Sequence, residues 1–577
     1  MGPHRRRVPS CRENGKIDRI VHESLGQDTS EGRGRRQIAA VLCALLLGGC
    51  AAAGEAFDEV FGPGEPEAVG VAGTFLGGVA ADEPRAALVG HEILRAGGNA
   101  ADAATAVYFA LAVTKPSSAS LGGGGVCVVE DIGTETTRAL HFLAGAPRTV
   151  PPTATRPSAV PGNVRGFSAL HAKYGRLRWA RVVAPAANMA RFGVQVSRSF
   201  ARDLAKVEKA LLMEPGTRRV FGRADGRGLV REGDVLVQGD LAATLSLVRS
   251  QGPGSLYQGS MARRLVAAVE RAGGSLGLAD LRAYAPVWRD TIKVTFGDGT
   301  MHLAPPPAAA GAVAAEMWAM LVQDDRYENV ADGERPHLVV ETALRAFADR
   351  ARWLRGDGTS TVAPEKLVSE ARITSLMASY RRDRHVPAAE LDPAPVARPE
   401  NPAATSFVVV DGAGSAVACA LTLNNLFGTG RVAEGTGILM AALPGQGGRG
   451  PISLGPMVVM SHKDNQFYAA AAASGGVAAP TAMMNVIAPI LFGGRLDDAM
   501  SAKRLHHGGV PDLTYYEQGI SETVLKSLTG RGHRVAPTMA LGLVNVAFCS
   551  GGLPQKPQTC AVRADPRGFG LAKAVEK

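Results

Sequence analysis

The sequence predicts an α/β (α+β) chain in which helices cover a two-layer β core and an α-rich lobe is added; a four-layer αββα sandwich fits this, although periodicity alone does not separate it from other α/β folds. Three observations point there. The chain has 577 residues, too many for one ordinary core, so two or more lobes are expected. Hydrophobic residues reach 46% with only 5% aromatics, and 70 glycines allow many tight turns. The apolar pattern also changes along the chain: helical spacing dominates up to residue 395, and short β-rich runs dominate after residue 405.

The net charge of +10 does not call for a nucleic-acid partner. Residues 1–36 hold nine Lys/Arg and five Asp/Glu, so +4 of it lies in a leader. That leader ends in a basic flank, Arg33-Gly34-Arg35-Arg36, an apolar stretch from Ile38 to Leu47, and Gly48-Gly49-Cys50. This is the pattern of a secretory signal, too short to span a bilayer as a mature helix. Leu47-Gly48-Gly49-Cys50 also resembles a bacterial lipobox, whose Cys50 is lipidated and becomes the mature N-terminus. A plain cleaved signal near Ala51–Ala53 is the alternative. Either predicts export to a bacterial periplasm, the lipobox with a membrane anchor.

Beyond the leader, Cys127 and Cys419 lie in apolar strand runs and are expected as core residues. Cys549 and Cys560 flank a loop rich in turn residues. A disulfide between them suits an oxidising compartment; two free thiols are the alternative. No cysteine spacing resembles a zinc site, and neither a metal nor a cofactor is expected.

Residues 51–66 form a small-residue linker, and Val69 to Ala81 reads as a strand and turn. Pro84 to Gly97 and the alanine-rich Ala100 to Val113 read as helices, the second apolar nearly all round and so buried. Four glycines, Gly122 to Gly125, precede a strand from Val126 to Val129. They lack the Lys-Ser/Thr of a P-loop and lead into a strand, which excludes nucleotide binding. Residues 158–167 are turn-rich. Helices follow at 178–190, 197–212, 241–250, 261–272 and 278–283, then strands at 292–296 and 301–303. Long helices are expected at 312–321, 336–353 and 370–384. Later strands fall at 407–410, 416–423, 456–461, 466–472, 542–549 and 560–564, with helices at 478–491 and 519–529.

The chemistry centres on residues 396–430. A proline-punctuated linker leads to Thr405-Ser406, then to two β runs joined by a turn at Asp411, Gly412 and Gly414, which is a hairpin signal. A Thr heading a strand after a linker suits an N-terminal nucleophile hydrolase. There the chain cuts itself before the Thr, and the freed α-amine acts as base for its side chain.

Several ordered blocks are similar to those of the γ-glutamyltranspeptidase family. They include Gly97-Gly98-Asn99-Ala100 with Asp102-Ala103-Ala104, Val160-Pro161-Gly162 with Gly166-Phe167, and Pro305-Pro306-Pro307 with Gly311. Phe427-Gly428-Thr429-Gly430, Gly435-Thr436-Gly437-Ile438-Leu439 and Ala499-Met500-Ser501-Ala502 with Arg504, His506 and His507 continue the likeness. The resemblance implies the four-layer N-terminal nucleophile fold and autocleavage into intertwined large and small fragments. It divides the chain into a leader at 1–50, the 51–66 linker, a large-subunit region at 67–395, a processing linker at 396–404 and a small-subunit region at 405–577.

The resemblance also implies site residues. Thr405 would be the nucleophile, Thr422 its hydrogen-bond partner, Asn424 a substrate contact, and Gly475-Gly476 the oxyanion hole. An ungapped count, however, lands the family nucleophile on Ala404 and its following His on Ser406. A one-residue slip along a strand turns a side chain to the opposite face unless the chain bends. The substrate grips also differ. Leu143 stands where the family has an Arg for the α-carboxylate, residues 441–446 carry no acid, and only Ser453 of a serine pair remains. These departures lead to an expected amide substrate other than standard glutathione. The alternative is a catalytically inactive, lipid-anchored binding protein that keeps the fold.

Overall fold

A computed structural model describes residues 74–391, 403–445, 450 and 452–577. The leader with Cys50, and the processing linker up to residue 402, lie outside the described residues.

Strand β1 (Phe75–Ala81) leads through Asp82 and Glu83 into helix α1 (Pro84–Arg95). Glu83 caps this helix by accepting from the Ala86 amide, and Pro84 fits the first turn, where no amide donor is needed. Helix α2 (Ala100–Thr114) starts with a reciprocal capping box between Asn99 and Asp102, and every residue of it is buried. Then follow β2 (Gly124–Asp131), β3 (Thr136–Phe142) and α3 (Asn163–Tyr174). Past a mainly helical stretch, which also holds a short antiparallel strand pair at Val194–Gln195 and Val235–Leu236, come β4 (Val287–Asp290), β5 (Ile292–Phe296), β6 (Gly299–Leu303), α4 (Ala309–Val322) and α5 (Arg335–Trp353). The later part supplies β7 (Ala404–Asp411), β8 (Ala416–Thr422), β9 (Met457–Ser461), β10 (Gln466–Ser474), α6 (Ala479–Leu491), β11 (Leu543–Leu553), β12 (Cys560–Arg563) and β13 (Leu571–Glu576).

Two antiparallel sheets form the centre. The first has seven strands in the order β13-β1-β7-β8-β2-β3-β4; the second has six, β12-β11-β10-β9-β6-β5. Apolar alternation sorts the side chains of β7 onto two faces. Val408 and Val410 enter the core between the sheets, with Val458, Ala470 and Ala547 from the second sheet. Phe407 and Val409 enter the core under α1, α2 and α3. A third core lies between the second sheet and α4, α5 and α6. Helix, sheet, sheet and helix are thus four layers, as expected.

The β7–β8 hairpin is inserted between β1 and β2. A cut near residue 404 would leave two fragments sharing one sheet. Asp411 anchors the hairpin turn: Oδ1 accepts from the Ala413 and Ser415 amides, and Oδ2 accepts from Ala100 at the start of α2.

Some expectations are corrected. Part of the turn-rich segment is the start of α3, whose buried face carries Val164, Phe167 and Leu170. The helix expected over 370–384 ends at Met377. Cys127 and Cys419 are not free core thiols. The register of β8 on β2 sets them opposite each other, and they form a disulfide across 292 residues of sequence. Cys549 and Cys560 are joined by a second disulfide across the β11–β12 pair. No helix among the described residues is long and apolar enough to cross a membrane.

Candidate active site

The end of β1, the head of β7, the end of β10 and the head of β11 meet around one buried carboxylate, Asp82. Its Oδ2 accepts from the Thr405 hydroxyl at 3.0 Å, from the Ser406 amide at 2.8 Å and from the Ser474 hydroxyl at 3.4 Å. Asn545 on β11 donates to Asp82 Oδ1 at 2.8 Å and also reaches the Ser406 carbonyl and hydroxyl. Ser406 donates its own hydroxyl to the Ala472 carbonyl of the second sheet at 3.1 Å. Burial pushes the Asp82 carboxyl above the usual carboxylate range, opposed by the charge of Lys115 and by these hydrogen bonds. A carboxylate so placed is a better proton acceptor than a solvated one.

The register of β7 is unbroken. Ala404 pairs with Thr422, Thr405 with Leu421 and Ser406 with Ala420. No bulge re-aims Thr405, which is fully buried on the Phe407 face, toward the helices. Ala404 and Ser406 face the space between the sheets. The Thr422 hydroxyl donates to the Ala403 carbonyl at 2.7 Å rather than to Thr405, and accepts from the Asn424 amide at 2.9 Å. Thr422 therefore touches the peptide unit just before Ala404.

Asn424 has a φ of 60°, in the left-handed region that asparagine tolerates. Its side-chain NH2 donates to the Ala144 and Ala442 carbonyls, while its buried Oδ1 has no partner among the described residues. That leaves one acceptor for a ligand N–H. Gly475 and Gly476, at φ 128° and 68°, turn the chain from β10 toward α6. A Cβ on Gly475 would stand 2.5 Å from the Gly542 Cα, so the turn requires glycine. Leu143 packs against the inter-sheet core, as does Ala404. Ser453 is buried in the loop before β9.

Sequence reasoning missed Asp82, Ser474 and Asn545. Asn545 carried a signal, being a polar residue inside the apolar run Leu543–Phe548. Asp82 sits in Ala81-Asp82-Glu83-Pro84, where Glu83 already explains an acid before a helix. Only tertiary packing separates their roles.

Comparison with known proteins places the chain in a family. A solved structure of cephalosporin acylase from Bacillus halodurans shares the fold, with a TM-score of 0.73 at 24% identity over 88% of this chain and 97% of that one. The glutathione hydrolase proenzyme of Escherichia coli (strain K12) is 31% identical over 549 residues, covering 87% of this chain and 93% of the relative. The acylase ACY 1 proenzyme of Pseudomonas sp. (strain V22) is 29% identical over 82% of this chain and 90% of the relative. The gamma-glutamyltranspeptidase family model matches residues 86–442 and 444–575, and the chain belongs to that family.

Proposed function

We propose that the chain is a γ-glutamyltransferase-like amidohydrolase or acyltransferase that cuts itself before Thr405 and works through an acyl-enzyme. The observation that carries this is the 3.0 Å hydrogen bond from the Thr405 hydroxyl to Asp82. In processing, Asp82 takes the hydroxyl proton and Oγ1 attacks the Ala404 carbonyl carbon. The Ala404–Thr405 C–N bond breaks as the nitrogen gains a proton, leaving an ester. Water cleaves the ester and frees the Thr405 hydroxyl and α-amine. In turnover the same oxygen attacks a substrate amide, the amine leaves, and water or an amine acceptor takes the acyl group. The Gly475 and Gly476 amides serve the oxyanion; such donors lower a barrier by ~3 kcal/mol each.

The acyl group is less polar than γ-glutamyl, because Leu143 offers no bidentate partner for a carboxylate. Asn424 Oδ1 accepts an N–H of the substrate, and Ser453 is a further contact. The cephalosporin acylase and acylase ACY 1 among the similar proteins are consistent with an acyl donor outside glutathione. The large fragment, which ends at Ala404 after the 67–395 region, and the small fragment 405–577 remain associated through their shared sheet. Two disulfides fit an oxidising compartment, in line with export and a lipid anchor at Cys50.

A second reading has its own observation. With Ala404 opposite Thr422 and Thr405 on the helix face, an uncut binding protein on the same fold also fits. Intact mass and N-terminal sequencing of purified protein decide between them. A small fragment starting at Thr405, lost in Thr405→Ala and slowed roughly 100-fold or more in Asp82→Asn, supports the first. A chain that stays whole under all conditions supports the second.

A further inference from the structure

Outside the catalytic region, a second polar cluster lies under α5. His337 and Glu341 stand one turn apart on that helix, and both are fully buried. His533 comes from the turn after the helix Glu522–Gly530, and His385 from the segment that leads toward the processing linker. His337 Nδ1 lies 2.7 Å from His533 Nε2. His385 Nδ1 lies 2.7 Å from Glu341 Oε1, and His533 Nε2 lies 3.8 Å from that oxygen. The donor atoms of His337, Glu341 and His533 all fall within 4.8 Å of one another.

The outer contacts orient this set. His337 Nε2 reaches the Arg381 carbonyl at 2.9 Å, so it must donate, which leaves a lone pair on Nδ1 facing inward. His385 Nε2 faces Asp512 Oδ1 at 3.1 Å in the same way. A second histidine, His507, also meets that oxygen at 3.1 Å. Arg345 holds Glu341 Oε2 and leaves Oε1 to the cluster. His337 and His385 have outer nitrogens fixed by a carbonyl and a carboxylate, as metal-binding histidines do, whereas the outer Nδ1 of His533 is buried with no partner among the described residues. A proton at each 2.7 Å contact offsets the repulsion of lone pairs so directed, and a divalent ion among the donors would take the place of those protons.

We propose that His337 Nδ1, His533 Nε2 and Glu341 Oε1, the three donors that share one centre, bind one zinc-class divalent ion in a closed, structural site, with His385 Nδ1 turned in from Glu341 as the fourth ligand. Three imidazole nitrogens and one carboxylate oxygen are a tetrahedral zinc donor set. Ligands at 2.0–2.1 Å in that geometry stand about 3.3 Å apart. The 2.7 Å contacts need to open, and the 3.8 Å contact to close, by roughly half an ångström, and His385 Nδ1 needs to turn toward His337 and His533, movements that side-chain rotations supply. Three ligands precede the processing linker and one follows it. The ion therefore clamps the chain end before the linker to the C-terminal part, whether or not the chain is cut.

The test uses untagged full-length protein, stripped by chelator and titrated with zinc against a chromogenic competitor. One tight ion per chain is expected, with tetrahedral Co(II) absorption on substitution. His533→Ala and Glu341→Gln should each weaken zinc by about 100-fold or more, and Asp512→Asn by about 10- to 100-fold. His302→Ala, on the second sheet, should leave affinity unchanged. Circular dichroism checks that each variant folds, and Glu341→Gln serves if His533→Ala does not. Folded wild-type protein that takes up no stoichiometric zinc, affinity unchanged in both ligand variants, or an octahedral Co(II) spectrum would each overturn the site.

Discussion

Replacing both cysteines of the Cys127–Cys419 pair by alanine tests how the two halves of the chain are joined. The bond links β2, which precedes the proposed cut, to β8, which follows it. Processing would thus leave two fragments held by a covalent bond as well as by the sheet. In the chain-entropy account, closing a loop of 292 residues lowers unfolded-state entropy by an amount equivalent to about 5–6 kcal/mol at 25 °C. The Cys549–Cys560 bond, closing 11 residues, corresponds to about 3 kcal/mol. Measured effects usually fall below such figures, so the ordering is the firmer expectation. The Cys127→Ala/Cys419→Ala protein should unfold at clearly lower urea than Cys549→Ala/Cys560→Ala, both compared as the uncleaved Thr405→Ala form. Processed wild-type protein should run as one band without reductant and as two bands with it. Two bands without reductant, in protein whose fragments are confirmed by mass, would refute the tether. One band under both conditions would instead refute processing.

Further consequences follow from single positions. Burial raises the Glu130 carboxyl from 4.5 to about 7. Between those pH values the folded chain keeps its proton while the unfolded chain loses it, so stability falls as pH rises across the window, on the order of 3 kcal/mol in all. Glu130→Gln should flatten that slope in urea unfolding measured from pH 4 to 8, and an unchanged slope would assign the effect elsewhere. Gly475→Ala places a Cβ 2.5 Å from the Gly542 backbone at a φ of 128°. It should cost about 1–3 kcal/mol of stability and impair acyl transfer, read by urea midpoint and amide turnover. Asp82→Asn keeps the shape of the buried network but removes the proton acceptor. It should slow the appearance of a small fragment far more than it lowers the thermal midpoint, and equal loss of both would assign Asp82 a structural role alone.

Much of the fold was written locally. The β7–β8 hairpin announced itself through β-rich runs around Asp411-Gly412, and α1 and α2 through their caps and apolar faces. Short-range rules govern such elements, so a single sequence displays them. Pro161 and Gly162 make the start of α3 look like a turn in sequence, whereas burial of Phe167 against Tyr108 and Phe142 decides its state. Strand β3, carrying Arg138 and His141, has no clean alternation, so its sequence carries no local strand signal.

By itself, the sequence determined the α/β class and the β7–β8 hairpin, and its resemblance to a known family added the four-layer arrangement and the question of Ala404 against Thr405. Tertiary structure alone decided which face each occupies, because facing depends on register with Thr422 and Leu421 across the sheet. It alone joined Cys127 to Cys419, and gathered Asp82 with Asn545 and His337 with His533. Those partners lie 463 and 196 residues apart, and no local pattern encodes a meeting that only the packing of sheets and helices brings about.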